Sequence, residues 1–474
     1  MDQTPRPTDG GAELEEAVSE WERHKTVARA FDAIAAGLVL GCESEVLSPA
    51  QFIASLNNQS RMLARIAEEV LATHRTDANS GPRPFAGADI QRMISEARAD
   101  LIRYPRNPLT WIDFGLAYTS IGKPEKAKRC IDAALMLDPE NRFVLRSAVR
   151  FFLHIGDGER ARNVLDRARS TARDPWLLAA DLAAAAVCEK PSQYLKDARS
   201  VLKSGKFSAH DTSELASQLG TLRYRDGRVR EAKRLFADAL SDPTENSLAQ
   251  IHWIASHDHS YQLAQTHWHL ANAFEVAAYE AYSAGHWKTA VDACTKWLQD
   301  EPFAARPAVL GSYIAATVLE NYGENKRLAE EGLRANPNDH QLINNLAFAL
   351  AQTGRTADAT KCLRSINIAK LEPGDRIAKL ATQGLISFRE GRPEEGRALY
   401  HQAIDVAAAP AYAQLKQMAM MYLAFQEIEA GTSLALKAGT DALQKVVSAT
   451  EPDVIYVRDR LEARVRRLID APRA

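Results

Sequence analysis

The stretch PLTWIDFGLAYTSIGKPEKAKRCIDAALMLDPEN, residues 108–141, decides the fold. Its apolar residues recur every three or four positions, which is the spacing of one face of a helix. Gly122 interrupts the pattern, and Pro124 stands where the first turn of a second helix tolerates a residue without an N–H. Pro139 closes the stretch. The sequence therefore predicts two antiparallel helices joined by a short turn.

Similar units recur along most of the chain. Each has bulky and small apolar residues, then a turn glycine, then two alanines, and clear copies surround Gly156, Gly227, Gly285, Gly354 and Gly391. A helix pair of this kind cannot bury its apolar stripe alone and must stack on its neighbours. No segment shows the alternation of a β-strand, so the whole chain is predicted to be helical.

The order Trp111, Gly115, Tyr118, Ala127 and Pro139 resembles the tetratricopeptide repeat. That repeat has the pattern W-x2-L-G-x2-Y, then A-x3-F, then P, over about 34 residues. The resemblance implies an all-α fold, a right-handed α-solenoid of helix-turn-helix repeats with helical N-terminal and C-terminal caps. It also implies a concave inner groove, formed mainly by the first helix of each repeat.

The phase of the repeat divides the chain into segments. The repeats are interrupted once, by a stretch with helical spacing, several histidines and no repeat signature. The predicted segments are a disordered tail (1–11), an N-terminal helical hairpin or cap (12–75), a loop (76–87), a first block of repeats (88–243), a His-rich helical insertion (244–270), a second block (271–407) and C-terminal capping helices (408–474).

Charge and composition restrict the class of partner. The chain has 59 Lys and Arg against 61 Asp and Glu, a net charge of -2. This balance leaves no global basic field, which disfavours a nucleic-acid partner. The longest apolar run near the N-terminus, Ala33 to Leu40, is too short to span a bilayer. We therefore expect a protein or peptide partner and no membrane, and leave self-association open.

Cysteine usage and the N-terminus suggest the compartment. The five cysteines are scattered and form no CxxC motif, which indicates a reducing environment. The first residues lack a basic start followed by an apolar stretch, so no signal peptide is predicted. Arginine and alanine are abundant, as is typical of a bacterial genome of high GC content. We expect a cytoplasmic, bacterial protein.

The resemblance implies which side chains face the groove. Arginines, aromatics and amides at these positions would favour peptide capture, because they combine apolar area with hydrogen bonds to an extended backbone. The alternative is an ordinary solvated face. The implied groove residues are Arg146, Arg150, His154, Tyr224, Arg225, Tyr279, Tyr282, Gln341, Asn344, Phe348 and Gln352.

Five histidines mark the insertion: His252, His257, His259, His267 and His269. Histidine is the commonest metal ligand and titrates near neutral pH. Three interpretations of this cluster are kept: a metal site, a proton-linked switch, and a packing or surface role. No acidic or thiol partner recurs at ligand spacing, so no metal residues are predicted.

The stretch from Arg223 to Arg234 is locally basic. Helical repeat proteins that bind RNA need such charge to recur along the groove. Here it does not recur, which favours a solvated basic face, with RNA binding kept as an alternative.

Catalytic motifs are missing from the sequence. It contains no P-loop, no HExxH and no GxSxG, so we predict no catalytic residues and no cofactor. The leading hypothesis is a non-enzymatic scaffold that binds a peptide segment or partner subunit in its groove. The alternatives are a sensor or regulatory subunit of a bacterial defence or signalling system with a separate effector enzyme, a metal-dependent activity at the His cluster, and RNA binding.

Overall fold

The computed structural model describes residues 10–40, 43–56, 63–64, 66–68, 70–71, 87–258, 261, 273–367, 371–447 and 449–470. Contacts divide the chain into two compact units, residues 1–83 and 84–474. Every regular element within those described ranges is helical, and the predicted all-α solenoid fold is confirmed. Among the helices described, none is both long enough and apolar enough to cross a bilayer.

The described ranges of the first unit include three complete α-helices, α1 (Gly10–Arg23), α2 (Val27–Leu40) and α3 (Leu47–Ala54), and residues 63–64, 66–68 and 70–71 are also helical. Trp21, Ile34 and Ile53 are buried together in its core. The ring of Trp21 meets that of Phe52 edge-on at 6.3 Å between centroids. This unit therefore has an apolar core of its own.

The second unit is an array of helix pairs between a first helix, α4 (Gly87–Arg103), and a last one. In chain order its described α-helices are α5 (Pro108–Ser120) and α6 (Pro124–Leu137), α7 (Arg142–His154) and α8 (Gly158–Arg167), α9 (Pro175–Val187) and α10 (Leu195–Lys203), α11 (Ala209–Arg225) and α12 (Val229–Ala239), α13 (Glu245–His257), α14 (Phe274–Ser283) and α15 (Trp287–Asp300), α16 (Ala305–Tyr313) and α17 (Tyr322–Ala335), α18 (His340–Gln352) and α19 (Thr356–Arg364), α20 (Pro373–Arg389) and α21 (Pro393–Val406), α22 (Ala413–Glu429) and α23 (Ala435–Lys445), and α24 (Pro452–Asp470).

Side-chain caps set where many of the first helices begin. The Asn107 carboxamide oxygen accepts the backbone N–H of Leu109 at 3.0 Å, and Pro108 then occupies the first position of α5. Asn141 caps α7 in the same way. Such caps satisfy N–H groups that have no partner inside the helix. The first helix of a pair is thereby started by local sequence before any packing occurs.

A small residue in the first helix of a pair lets the second helix approach closely. A Cβ added to Gly220 in α11 would lie 2.5 Å from the Phe236 ring of α12, so only glycine fits there. Gly384 stands in the same relation to Tyr400, where the distance would be 2.6 Å. In both cases the glycine and the aromatic residue are 16 positions apart in the sequence, so this contact is a property of the repeat.

The array curves far enough for distant pairs to meet. Gly122, in the turn between α5 and α6, has a φ of 65°. A Cβ at Gly122 would lie 2.3 Å from the carbonyl oxygen of Arg334, near the end of α17. Helices lining the inner side of the first pairs are therefore held close to residues of the fifth and sixth pairs.

The last helix packs back onto the array through a π-helical turn, Ile314–Val318, that follows α16. The Arg460 guanidinium donates to the carbonyl oxygens of Thr317 at 2.9 Å and Val318 at 2.8 Å. Tyr422 of α22 donates to the same Thr317 oxygen at 3.0 Å. A π turn disturbs the regular helix hydrogen bonds, and these donors bind two of its carbonyl groups. The charge of α24 is thus partly used inside the fold, whereas the sequence suggested a solvated cap.

Gly122→Ala tests the contact between the first and sixth pairs. Alanine at a positive φ costs about 1–2 kcal/mol at any site, and here it would also meet the Arg334 carbonyl. Gly391→Ala is the matched control, since Gly391 has a φ of 74° and no atom within 4 Å of an added Cβ. We expect the larger drop in melting temperature, followed by circular dichroism, for Gly122→Ala. Equal drops would contradict the contact.

Cysteine labelling tests the packing of the second helices. Burial raises the pKa of Cys294 to about 12 and that of Cys130 to about 11. Cys188 is only partly buried. Since the thiolate is the reactive form, iodoacetamide at pH 8 should label Cys188 at least ~100-fold faster than Cys294. Peptide mass spectrometry measures both rates, and comparable rates would show that the interior around Cys294 is open.

Candidate functional site

The inner side of the array contains a cavity of about 820 Å³, which we call the first cavity. Its walls come from α7, α9, α11, α13 and α14 and from the residues around the start of α16. Most of these are first helices of successive pairs. Of the predicted groove residues, the structure brings four together here, namely Arg146, Arg150, Arg225 and Tyr279.

Arg146 is held on one wall of the first cavity by three contacts. Its guanidinium binds Glu214 of α11 at 2.7 Å and lies over the Trp176 ring, 4.7 Å from the centroid. Asn246 of α13 donates to the other oxygen of Glu214 at 2.9 Å. Glu214 is 9% exposed, so water screens this pair less than a surface pair. Arg146 is therefore fixed in position by residues of three neighbouring helices.

Arg150 reaches across the first cavity to the fifth pair. It forms an ion pair with Glu301 and lies over the Phe303 ring, 4.8 Å from the centroid. The His154 ring meets the same Phe303 edge-on at 5.3 Å, at the rim of the cavity. Burial, and then the nearby Arg150 charge, lower the pKa of His154. Phe303 thus joins two predicted groove residues to a distant part of the chain.

Arg306 supplies a third fixed cation. It forms an ion pair with Glu275 and lies over the Trp297 ring, 5.2 Å from the centroid. Burial raises the pKa of Glu275, and the Arg306 charge acts against this shift. Arginine stacks on aromatic rings while its fork binds a carboxylate, so three arginines use the same arrangement.

Other polar groups of the first cavity keep free hydrogen-bonding capacity. Gln218 donates to Gln250 at 2.8 Å, and Gln250 donates to Thr221 at 2.7 Å. Within the described part of the chain, the amide oxygens of Gln218 and Asn246 accept no hydrogen bond, and Arg225 has no ion pair. Trp253 is 45% exposed and adds an apolar surface.

A second cavity, of about 320 Å³, lies on the inner side of the later pairs. First helices α16, α18, α20 and α22 line it. It contains three predicted groove residues, Gln341, Asn344 and Phe348. The Phe348 ring meets that of Tyr422 edge-on at 5.5 Å, so opposite walls of this cavity touch.

The remaining predicted groove residues lie away from both cavities. Tyr224 packs edge-on against Tyr261 at 5.6 Å, and Tyr282 against Trp287 at the same distance. Gln352 accepts a hydrogen bond from Arg389 at 2.7 Å. These three side chains make contacts within the array. That all eleven predicted residues bind a partner stays a prediction.

Two of the five histidines fall in described segments. His252 is buried, and its Nε2 lies 2.7 Å from Glu280 Oε1. His257 Nδ1 lies 2.7 Å from the Trp253 carbonyl oxygen. His259, His267 and His269 lie outside the described residues. Among the described residues, no three His, Cys, Asp or Glu side chains gather as a metal site.

Sequence reasoning missed several residues of the first cavity. Glu214, Gln218 and Thr221 precede the predicted Arg225 at helical spacing along α11, which is a signal for one shared face. Glu301 and Arg306 had no comparable signal. They reach the first cavity only because the array curves back on itself.

Comparison with protein families supports this geometry. Residues 110–141 match the tetratricopeptide repeat family. They form α5, its turn and α6, which is the pair whose pattern the later pairs repeat. The chain therefore contains a tetratricopeptide repeat within these residues. Repeats of this kind generally mediate protein interactions.

Solved structures similar to this tetratricopeptide array include three helical assemblies. Yeast Tom70 has a TM-score of 0.31 and 13% identity, covering 94% of this chain and 97% of that one. The Cut9–Hcn1 hetero-tetramer of the APC/C has a TM-score of 0.42 and 11% identity, covering 98% and 91%. A human IFIT1 dimer with PPP-AAAA has a TM-score of 0.29 and 13% identity, covering 98% and 95%. No curated protein matches the chain by sequence.

Phe303→Ala tests whether the first cavity is closed by its distant wall. The substitution removes the ring that both Arg150 and His154 contact. We expect faster hydrogen exchange in α7 and no change in α20, measured by mass spectrometry, because local contacts set local opening. Tyr104→Ala is the control, since Tyr104 is 64% exposed and lines neither cavity. Unchanged exchange in α7 would rule out a stabilising closure.

Proposed function

We propose that this chain is a non-catalytic scaffold whose first cavity binds an extended segment of a partner protein. The observation that carries the proposal is the fixed arrangement of Arg146, Arg150 and Arg306 on the walls of that cavity. Each arginine is held by a carboxylate and an aromatic ring. Binding then requires little ordering of these side chains, which favours affinity.

The free groups of the first cavity fit a peptide backbone and its side chains. The unpaired amide oxygens of Gln218 and Asn246 can accept backbone N–H groups. Exposed Arg225 can bind a carboxylate, and half-exposed Trp253 can contact an apolar or aromatic side chain. Aromatic and arginine residues carry most of the energy of protein interfaces. The fitting segment is therefore an extended peptide with an acidic residue close to an apolar one.

The charge of the first cavity favours a peptide over RNA. Four arginines and three glutamates line it: Arg146, Arg150, Arg225, Arg306, Glu214, Glu275 and Glu301. Three of these arginines are already paired with the glutamates. RNA binding depends on several cations that replace the counterions of the phosphates along a strand. Of the four arginines in the first cavity, one is unpaired among the described residues and could bind a phosphate. A regulatory role beside a separate effector enzyme stays a prediction.

Arg225→Glu tests the proposal against a matched control. A library of random peptides displayed on phage is selected on the full chain, and the affinities of enriched peptides are measured by fluorescence anisotropy. We expect enriched peptides to combine acidic and apolar residues and to bind Arg225→Glu at least ~10-fold more weakly, as for the loss of a charged hydrogen bond. Arg230→Glu makes the same change on exposed α12, outside the cavity, and should bind normally.

Two results would contradict the proposal. One is a selection that enriches no peptide, or peptides whose binding is equally affected by both substitutions. The other is binding of a single-stranded RNA oligonucleotide in place of peptide, with an affinity that falls steeply with salt and is lost in Arg225→Glu.

A further inference from the structure

The second cavity differs chemically from the first. Its walls are mainly apolar, with Ile377, Leu415 and Met418 beside the rings of Phe348 and Tyr422. No lysine or arginine lines it among the described residues, and its one acidic residue, Asp375, already accepts a hydrogen bond from Gln341 at 3.1 Å. An anionic ligand would find no lysine or arginine here, and the one carboxylate lies among mainly apolar walls. The surroundings favour an uncharged molecule.

The second cavity is closed on one side by contacts between its walls. Tyr422 of α22 donates to the Thr317 carbonyl at the end of α16, and Tyr313 of α16 donates to Asp453 of α24 at 2.5 Å. The first bond joins α22 to the turn after α16, and the second joins α16 to α24. The space, about 320 Å³, is roughly twice the ~150 Å³ cavity that holds benzene in another protein. It has room for a small ring system rather than for a length of polypeptide.

Tyr400 brings a hydroxyl group to the wall of this cavity. It is 1% exposed and packs closely on Gly384. Its hydroxyl makes no hydrogen bond to any residue that the structure describes, and Tyr400 lines the second cavity. A buried hydroxyl usually has a partner. A ligand in the cavity is the natural partner for it.

Two further polar atoms lie on the same side of α18. His340 Nδ1 and Asn344 Oδ1 are both buried and have no hydrogen-bond partner. The two residues are one helical turn apart and both line the second cavity. Leaving such atoms unpaired is unfavourable. Two unsatisfied polar atoms and the Tyr400 hydroxyl therefore converge on one apolar space.

We propose that the second cavity binds an uncharged small molecule with one or two rings and at least one hydrogen-bonding group. The rings fill the apolar space, and the polar group binds Asn344 or Tyr400. Binding pockets commonly combine apolar walls with a few convergent polar groups. This site is separate from the peptide-binding function proposed for the first cavity.

The uncharged two-ring fluorescent probe 6-propionyl-2-(dimethylamino)naphthalene tests the cavity. We expect one saturable site on the full chain. Ala378→Phe fills the second cavity and should weaken binding at least ~10-fold. Ala183→Phe makes the same substitution at a half-buried alanine of the first cavity and should leave binding within twofold of wild type. Circular dichroism checks that each variant folds, and Ala378→Leu replaces Ala378→Phe if that variant does not.

Displacement of the probe tests the polar groups. 2-Naphthol should displace it at a concentration at least ~5-fold lower than naphthalene does, because its hydroxyl can bind Asn344 or Tyr400. Asn344→Leu should reduce this advantage, and Asn344→Leu with Tyr400→Phe should abolish it. The proposal is overturned if wild type does not bind the probe, if Ala378→Phe binds it normally, if Ala183→Phe abolishes binding, or if naphthalene and 2-naphthol displace it equally.

Discussion

The rest of the structure depends on one close contact inside each helix pair. A small residue of the first helix lies against a bulky residue of the second, as Gly220 lies against Phe236 and Gly384 against Tyr400. Alanine takes the same place before the turn glycine in two other pairs, where Ala278 and Ala347 are fully buried. A larger residue would separate the two helices and change the angle at which the next pair stacks. Repetition of this contact sets the curvature of the array.

Curvature, in turn, decides which residues meet on the inner side. It brings Arg150 of the second pair to Glu301 and Phe303, which follow the fifth pair. It also brings Tyr422 to the π-helical turn after α16. The first cavity therefore contains paired charges, and the second is mainly apolar. One repeated packing rule thus produces two sites of different chemistry.

Much of the fold could be predicted from the sequence because its determinants are local. Helical spacing, the turn glycines and the start of α6 at Pro124 all follow from residues that are neighbours in the chain. Arg146, Arg150, Arg225 and Tyr279 could be placed near one another because stacked first helices share one face. The stacking of the helix pairs into an array could be predicted from the repeat alone.

The details of the sites depended on contacts between distant residues, which local patterns do not contain. Tyr224 and Tyr282 occupy expected positions of their helices, yet their rings pack on Tyr261 and Trp287. The unpaired atoms of His340 and Asn344 line a space that α22 closes from one side, and no repeat pattern predicts this closure. The charged last helix directs Arg460 to backbone carbonyls for the same reason.

Native-state hydrogen exchange of α11 and α12 tests the central claim most directly, with Gly220→Ala in two backgrounds. In the background that keeps Phe236, the added Cβ would lie 2.5 Å from its ring. Gly220→Ala should therefore lower the free energy of opening of α11 and α12. With Phe236→Leu the ring is gone, and the higher helix propensity of alanine, worth up to ~1 kcal/mol, should make the same substitution stabilising. A change of sign between the backgrounds is the predicted result. The same effect of Gly220→Ala in both would contradict the account.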